Sequence, residues 1–189
     1  MIRALPLSLL FLAMAGPALA HSGHVESGFW HPLSGPDHFL AMIGTGMWAA
    51  FLAVRRPAAA LLVPAAFMTM MAFGAAAGFA GIKLPFSEAG VLASVFILGG
   101  LVLATVRLPT LTAMMLVGWF AALHGYAHAQ EAPGGDPGSY ILGFLLATAL
   151  LHAVGLGLGG VVERLTGNLG LRALGGLVVV GGALVLVPY

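Results

Sequence analysis

Cysteine is absent from this chain, so neither a disulfide nor a thiolate metal site can form in it. Charge is scarce as well. Seven basic and six acidic residues leave 7% of the 189 residues charged, where a soluble domain carries about a quarter. The formal net charge of +1 and the lack of a basic cluster give nucleic-acid phosphates nothing to bind, so no such partner is expected. No G-x-x-x-x-G-K-[ST] sequence occurs, which excludes direct use of ATP through that loop, and no H-E-x-x-H zinc-protease motif occurs either. What is present is apolar: 60% of residues are hydrophobic and the mean hydropathy is +1.05. Exposed to water, such a surface would aggregate. The composition defines an integral membrane protein with the lipid bilayer as its surroundings.

The first twenty residues have the form of a secretory signal. Arg3 is its positive end, Leu5 to Ala15 its apolar core, and Ala18-Leu19-Ala20 an A-x-A cleavage site. Pro6, Pro17 and the short apolar length count against an uncleaved first span. Cleavage after Ala20 makes His21 the new N-terminus, followed closely by His24. A free amine beside imidazoles can chelate a divalent cation, which makes His21 and His24 metal-capture candidates; a solvated tail is the plainer reading.

Six apolar runs follow, each near the ~20 residues that a bilayer demands. They lie at about Pro36 to Val54, Ala58 to Ala80, Ala89 to Val106, Thr110 to His128, Tyr140 to Val162 and Leu169 to Pro188. Their links are short, so residues 21–189 are expected to form one compact all-α bundle of six transmembrane helices. With His21 outside the cytoplasm, Arg55, Arg56, Arg107, Arg164 and Arg172 all fall inside and only Lys83 falls outside, as the positive-inside bias requires. Tyr126, Tyr140 and Tyr189 fall near outer span ends, where aromatic belts are expected. The sequence leaves a homo-oligomer open. Gly74 and Gly78, with Gly155, Gly157, Gly159 and Gly160, suit close helix approach, and hinges are the other use for them.

Ionisable groups in hydrocarbon cost several kcal/mol, so those that occur mark function. In HPLSGPDH, His31 to His38, two imidazoles and a carboxylate stand at the threshold of the first span. Ser34 and Asp37 have capping-box spacing, and Pro32 and Pro36 favour an extended approach with an early helical start. Capping explains neither His31 nor His38. A helix N-terminus opposes a cation, and an ionised Asp37 offsets that. Met42 shares a face with His38 and is either a weak soft ligand or packing. In LHGYAHAQE, His124 and His128 lie four residues apart at the outer C-terminal end of the fourth span, where the dipole favours a cation, and Glu131 follows. His152 lies alone near the middle of the fifth span, equally suited to a structural bond and to a relay.

HPLSGPDH resembles the H-P-x-x-G-x-D-H signature of the HupE/UreJ nickel and cobalt permeases. LHGYAHAQE is similar to that family's second signature, approximately F-H-G-x-A-H-G-x-E. Leu123 replaces the Phe and Ala129 the second Gly, and neither change removes a ligand. His152 in ATALLHAVG fits the family's fifth span. The resemblance implies import of Ni²⁺, sometimes Co²⁺, across the bacterial inner membrane for hydrogenase or urease. The metal is then a transported substrate and no prosthetic group is needed. The resemblance makes His31, Asp37, His38, His124, His128 and Glu131 the metal-path residues; His152 and Met42 are relay candidates by position alone, and signal cleavage leaves the mature N-terminus periplasmic. The alternative is an intramembrane zinc-dependent hydrolase using the same cluster, with Glu131 as general base. A metal sensor or accessory subunit is a further reading.

Overall fold

A computed structural model describes residues 24–187. The signal segment 1–20, His21 and Tyr189 lie outside them, as does the side chain of His24. The described residues form seven helices: α1 (His24–Ser34), α2 (Pro36–Ala53), α3 (Ala59–Phe79), α4 (Ser87–Leu103), α5 (Thr110–Gln130), α6 (Pro137–Thr166) and α7 (Asn168–Val185). Prolines stand at the first turns of α2 and α6, where a missing N–H costs nothing. Asp136 caps α6 by accepting from the Ser139 amide at 2.8 Å. Gly167, at φ +62°, separates α6 from α7 in a conformation that favours glycine.

Helices α2 to α7 fall on the six apolar runs. Four of them, α3, α5, α6 and α7, are long and apolar enough to cross a membrane. The other two fall short for local reasons. α4 has 17 residues, and α2 spends its first turn on Pro36, Asp37 and His38. The outward side chains fit lipid. Leu142, Leu146, Leu150, Val154 and Leu158 form an exposed ladder at helical spacing along α6, a stripe that water would penalise.

The segment before Pro36 departs from expectation. It forms helix α1 instead of an extended approach, with Pro32 inside its last turn. Ser34 therefore closes α1, donating back to the Trp30 and His31 carbonyls at 3.0 Å each. Gly35 is the N-cap of α2 and makes no side-chain cap, so the capping box does not form. At eleven residues, α1 is too short to span and packs across α6.

Helix α2 is the central element, with Ala41 to Leu52 buried without interruption. The most intimate pairs in the bundle are α3 with α5, α2 with α6, α1 with α6, and α4 with α7. Small residues permit each approach. A Cβ at Gly74 would meet the Ala122 carbonyl, one at Gly155 the Ile43 carbonyl, and one at Gly175 the Leu103 backbone. Gly78 and Gly159 are similarly hemmed in, whereas Gly157 and Gly160 face open space. Tyr126 and Tyr140 are turned into the protein at 7% and 3% exposure, so they are core residues and not a lipid-facing belt. Tyr140 packs edge-on against Phe79 and Phe144.

The two ends of α2 differ in chemistry. Beyond its C-terminus, Arg55, Arg56 and Arg107 line a cavity of about 150 Å³ with Leu52, Leu108 and Pro109. Arg107 donates to the Phe51 carbonyl at 2.9 Å and lies 3.8 Å over the Phe51 ring, while Trp48 Nε1 donates to the Val106 carbonyl at 2.9 Å. These contacts fasten the link between α4 and α5 to the central helix. The histidines gather at the other end, about 25 Å away along α2.

Candidate metal centre

The two sequence motifs meet in space. α2 begins where α5 ends, so His38 and His124 come together with ring centroids 4.9 Å apart, and His38 and His128 at 4.5 Å. α1 lays His31 across the same point, 4.7 Å from His128 and 5.6 Å from His38. His31, His38 and His128 each offer a ligand atom within 4.8 Å of the others, a spacing that one ion can bridge. His38, His124 and His128 are buried, and His31 is partly so.

The hydrogen bonds determine which nitrogens are available. Asp37 Oδ1 accepts from the backbone N–H of His38 at 2.8 Å and lies 2.8 Å from its Nδ1. With the carboxylate ionised, Nδ1 must be the donor, so the lone pair resides on Nε2, which has no partner among the described residues. Asp37 thereby stands behind His38 and orients its ring, the carboxylate–imidazole pairing common at metal centres. Ser94 on α4 does the same for His124. Its hydroxyl donates to the Val91 carbonyl and lies 2.9 Å from His124 Nε2. The single Ser94 proton is committed, so Nε2 carries the N–H and the unpartnered Nδ1 carries the lone pair. Both ring nitrogens of His128 are buried with no hydrogen-bond partner among the described residues, and its ring stacks on Phe144 at 4.8 Å and 9°. Buried polar atoms normally find partners, and several imidazole lone pairs left open at one point suit a cation.

Glu131, the C-cap residue of α5, closes the outer edge through a 2.7 Å contact between Oε2 and His31 Nε2. Burial and the neighbouring His38 hold the His31 imidazole below its ordinary pKa, with the Glu131 carboxylate opposing. A lowered pKa keeps the ring neutral, and hence a ligand, to lower pH than a free imidazole. Proton competition at His31 is therefore expected to weaken nickel affinity only below the ordinary imidazole range, about pH 6.5. Calorimetric nickel titrations across that range would check this.

His152 and Met42 are not part of the cluster. His152 lies deeper on α6, two helical turns below Phe144, or about 12 Å of rise. Ser94 and Phe144 escaped sequence reasoning. A serine inside the apolar run of α4 is a weak signal, and nothing local pairs it with a residue thirty positions away. Removing the orienting groups should weaken metal binding without abolishing it. Asp37→Asn and Ser94→Ala are each expected to lower nickel affinity by about 10- to 100-fold, as for other groups that orient metal ligands. Equilibrium dialysis of the purified variants is the check, and unchanged affinity in both would remove these groups from the site.

These features define a multi-pass helical membrane protein with a largely buried imidazole cluster, flanked by two carboxylates, at one end. The chain belongs to the HupE/UreJ family: the family described as HupE / UreJ protein matches residues 9–185. It is 40% identical over 185 residues to Protein HupE of Rhizobium leguminosarum bv. viciae, with 95% of each chain covered. No solved structure matches it.

Proposed function

We propose that this chain is a permease that imports Ni²⁺, with Co²⁺ as a second substrate, across the bacterial inner membrane for maturation of a hydrogenase or urease. In this reading residues 1–20 are removed as a signal peptide and six spans, α2 to α7, cross the bilayer. The mature N-terminus and the histidine cluster face the periplasm, and the arginine-rich end faces the cytoplasm, in keeping with the positive-inside bias. The family's association with nickel and cobalt transport supports the substrate.

One observation carries the proposal. His31, His38, His124 and His128 converge from three helices, with lone pairs left open on His38 and His124 by partners that fix their rings. His21 and His24 collect hydrated cation, and Glu131 and Asp37 add negative charge at the mouth. The imidazoles then replace water around the ion, and His152 relays it inward. Release requires that none of these steps bind too tightly.

Nickel and cobalt flux into proteoliposomes containing the purified protein tests this directly. Saturable flux is expected. Tight nickel binding without flux would instead indicate a sensor or an accessory subunit, and hydrolysis of lipid or peptide by zinc-loaded protein would indicate an enzyme.

A further inference from the structure

Below the imidazole cluster, α6 carries Phe144, Thr148 and His152 on one face at four-residue steps, about 6 Å of rise each. Phe144 packs on the His128 ring. Thr148 and His152 are buried, and the cluster above uses neither. The Thr148 hydroxyl lies 3.3 Å from Met42 Sδ and 3.5 Å from Met71 Sδ. It has a single proton, so it can satisfy one thioether at a time. Met42 comes from α2 and Met71 from α3, both fully buried. Filling a core gap does not require two sulfurs from separate helices to converge on one hydroxyl.

His152 continues the same line. Its ring meets Phe67 edge-on at 5.0 Å, and Phe67 lies one turn from Met71 on α3, as His152 lies one turn from Thr148 on α6. Both ring nitrogens of His152 are buried with no hydrogen-bond partner among the described residues. A histidine kept only for structure would bond a neighbouring carbonyl or hydroxyl. Neither nitrogen makes such a bond, so the ring keeps one lone pair free to accept a ligand.

We propose that Met42, Met71, Thr148 and His152 form a second, inner metal station that receives the cation from the outer imidazoles. The proposal rests on the transport reading for its ligand and adds Met71 and Thr148 to the path. All four donors are neutral, so the ion gains no counter-charge there and is held more weakly than beside Asp37 and Glu131. Thioether sulfur is a soft donor, which disfavours hard cations such as Mg²⁺ and Mn²⁺ against Ni²⁺ and Co²⁺. A weak, selective inner station promotes passage and rejects the commoner ions.

The absence of cysteine makes the test direct, because any sulfur bound to nickel must come from methionine. X-ray absorption on full-length protein in lipid nanodiscs, saturated with Ni²⁺, is expected to show sulfur in the first shell. The Met42→Leu/Met71→Leu double variant should lose that signal and keep the nitrogen and oxygen shell of the outer cluster. Its nickel flux in proteoliposomes should fall about tenfold. Leucine conserves the buried volume, which protects the fold. A wild-type shell of nitrogen and oxygen alone, or wild-type flux in the double variant, would overturn the station. If wild-type protein moves no nickel, the transport reading fails, and the sulfur signal still decides whether metal reaches these residues.

Discussion

Replacing His38 with alanine is expected to reduce nickel flux by at least about 100-fold, the upper end of what changes one shell out from a metal produce. Among the described residues, His38 is the ring in contact with His31, His124 and His128 together. Its loss separates His124 from the other two imidazoles and removes a lone pair aimed by Asp37. Folding should survive the change, because Asp37 Oδ1 also accepts from the backbone N–H of residue 38, which the substitution retains. The check is proteoliposome uptake at matched protein content, with thermal unfolding measured beside it. Wild-type uptake by His38→Ala would take the cluster off the path, whatever its affinity for metal.

Among the described glycines, Gly125 is expected to be the one most damaged by replacement with alanine. A Cβ there would fall on the Met71 carbonyl oxygen and lie 2.9 Å from the Ala75 amide nitrogen. Backbone atoms cannot turn aside as a side chain can, so α3 and α5 would have to separate. Overpacking of this kind typically costs about 1–3 kcal/mol and sometimes more, and a backbone clash belongs at the upper end. The damage would reach the site as well, since His124 and His128 flank this glycine on α5. Gly157→Ala is the matched control. Nothing lies within 4 Å of a Cβ there, and alanine favours a helix over glycine by about 1 kcal/mol. Yield of monodisperse protein and its unfolding temperature should fall sharply for the first variant and hold or rise for the second. Equal behaviour of the two would mean that α3 and α5 do not approach as closely as described.

Much of the site was legible because its two motifs are local. HPLSGPDH and LHGYAHAQE announce themselves by placing ionisable groups beside hydrocarbon-length runs, and His31, His38 and His128 come together as a group able to hold metal. The roles within the motifs were not legible. Asp37 has the right chemistry for a ligand, but it stands behind His38 because the first turn of α2 points its oxygen at its own neighbour. Ser34 has the right spacing for a cap, yet it belongs to a helix that the two flanking prolines argued against. Proline tolerates a helical φ but forfeits one N–H and crowds the carbonyl four residues back, a local cost that the packing of α1 on α6 overrides. Tyr126 and Tyr140 sit at span ends as aromatic-belt residues do, and which way they face depends on the neighbouring helices.

By itself the sequence determined the membrane class, the positions of the apolar helices and the two histidine motifs. Each of these is a property of residues close together in the chain, carried by hydropathy and helical spacing. Only the tertiary structure decided that α3 pairs with α5 and α2 with α6, that Ser94 sets the tautomer of His124, and that Met42, Met71 and Thr148 share one buried point. In lipid, helices gain nothing from hydrophobicity by meeting one another. Which faces touch is settled by where small residues let backbones approach and polar atoms find partners. Those are steric and hydrogen-bonding matches between residues thirty to a hundred positions apart, which no local pattern encodes.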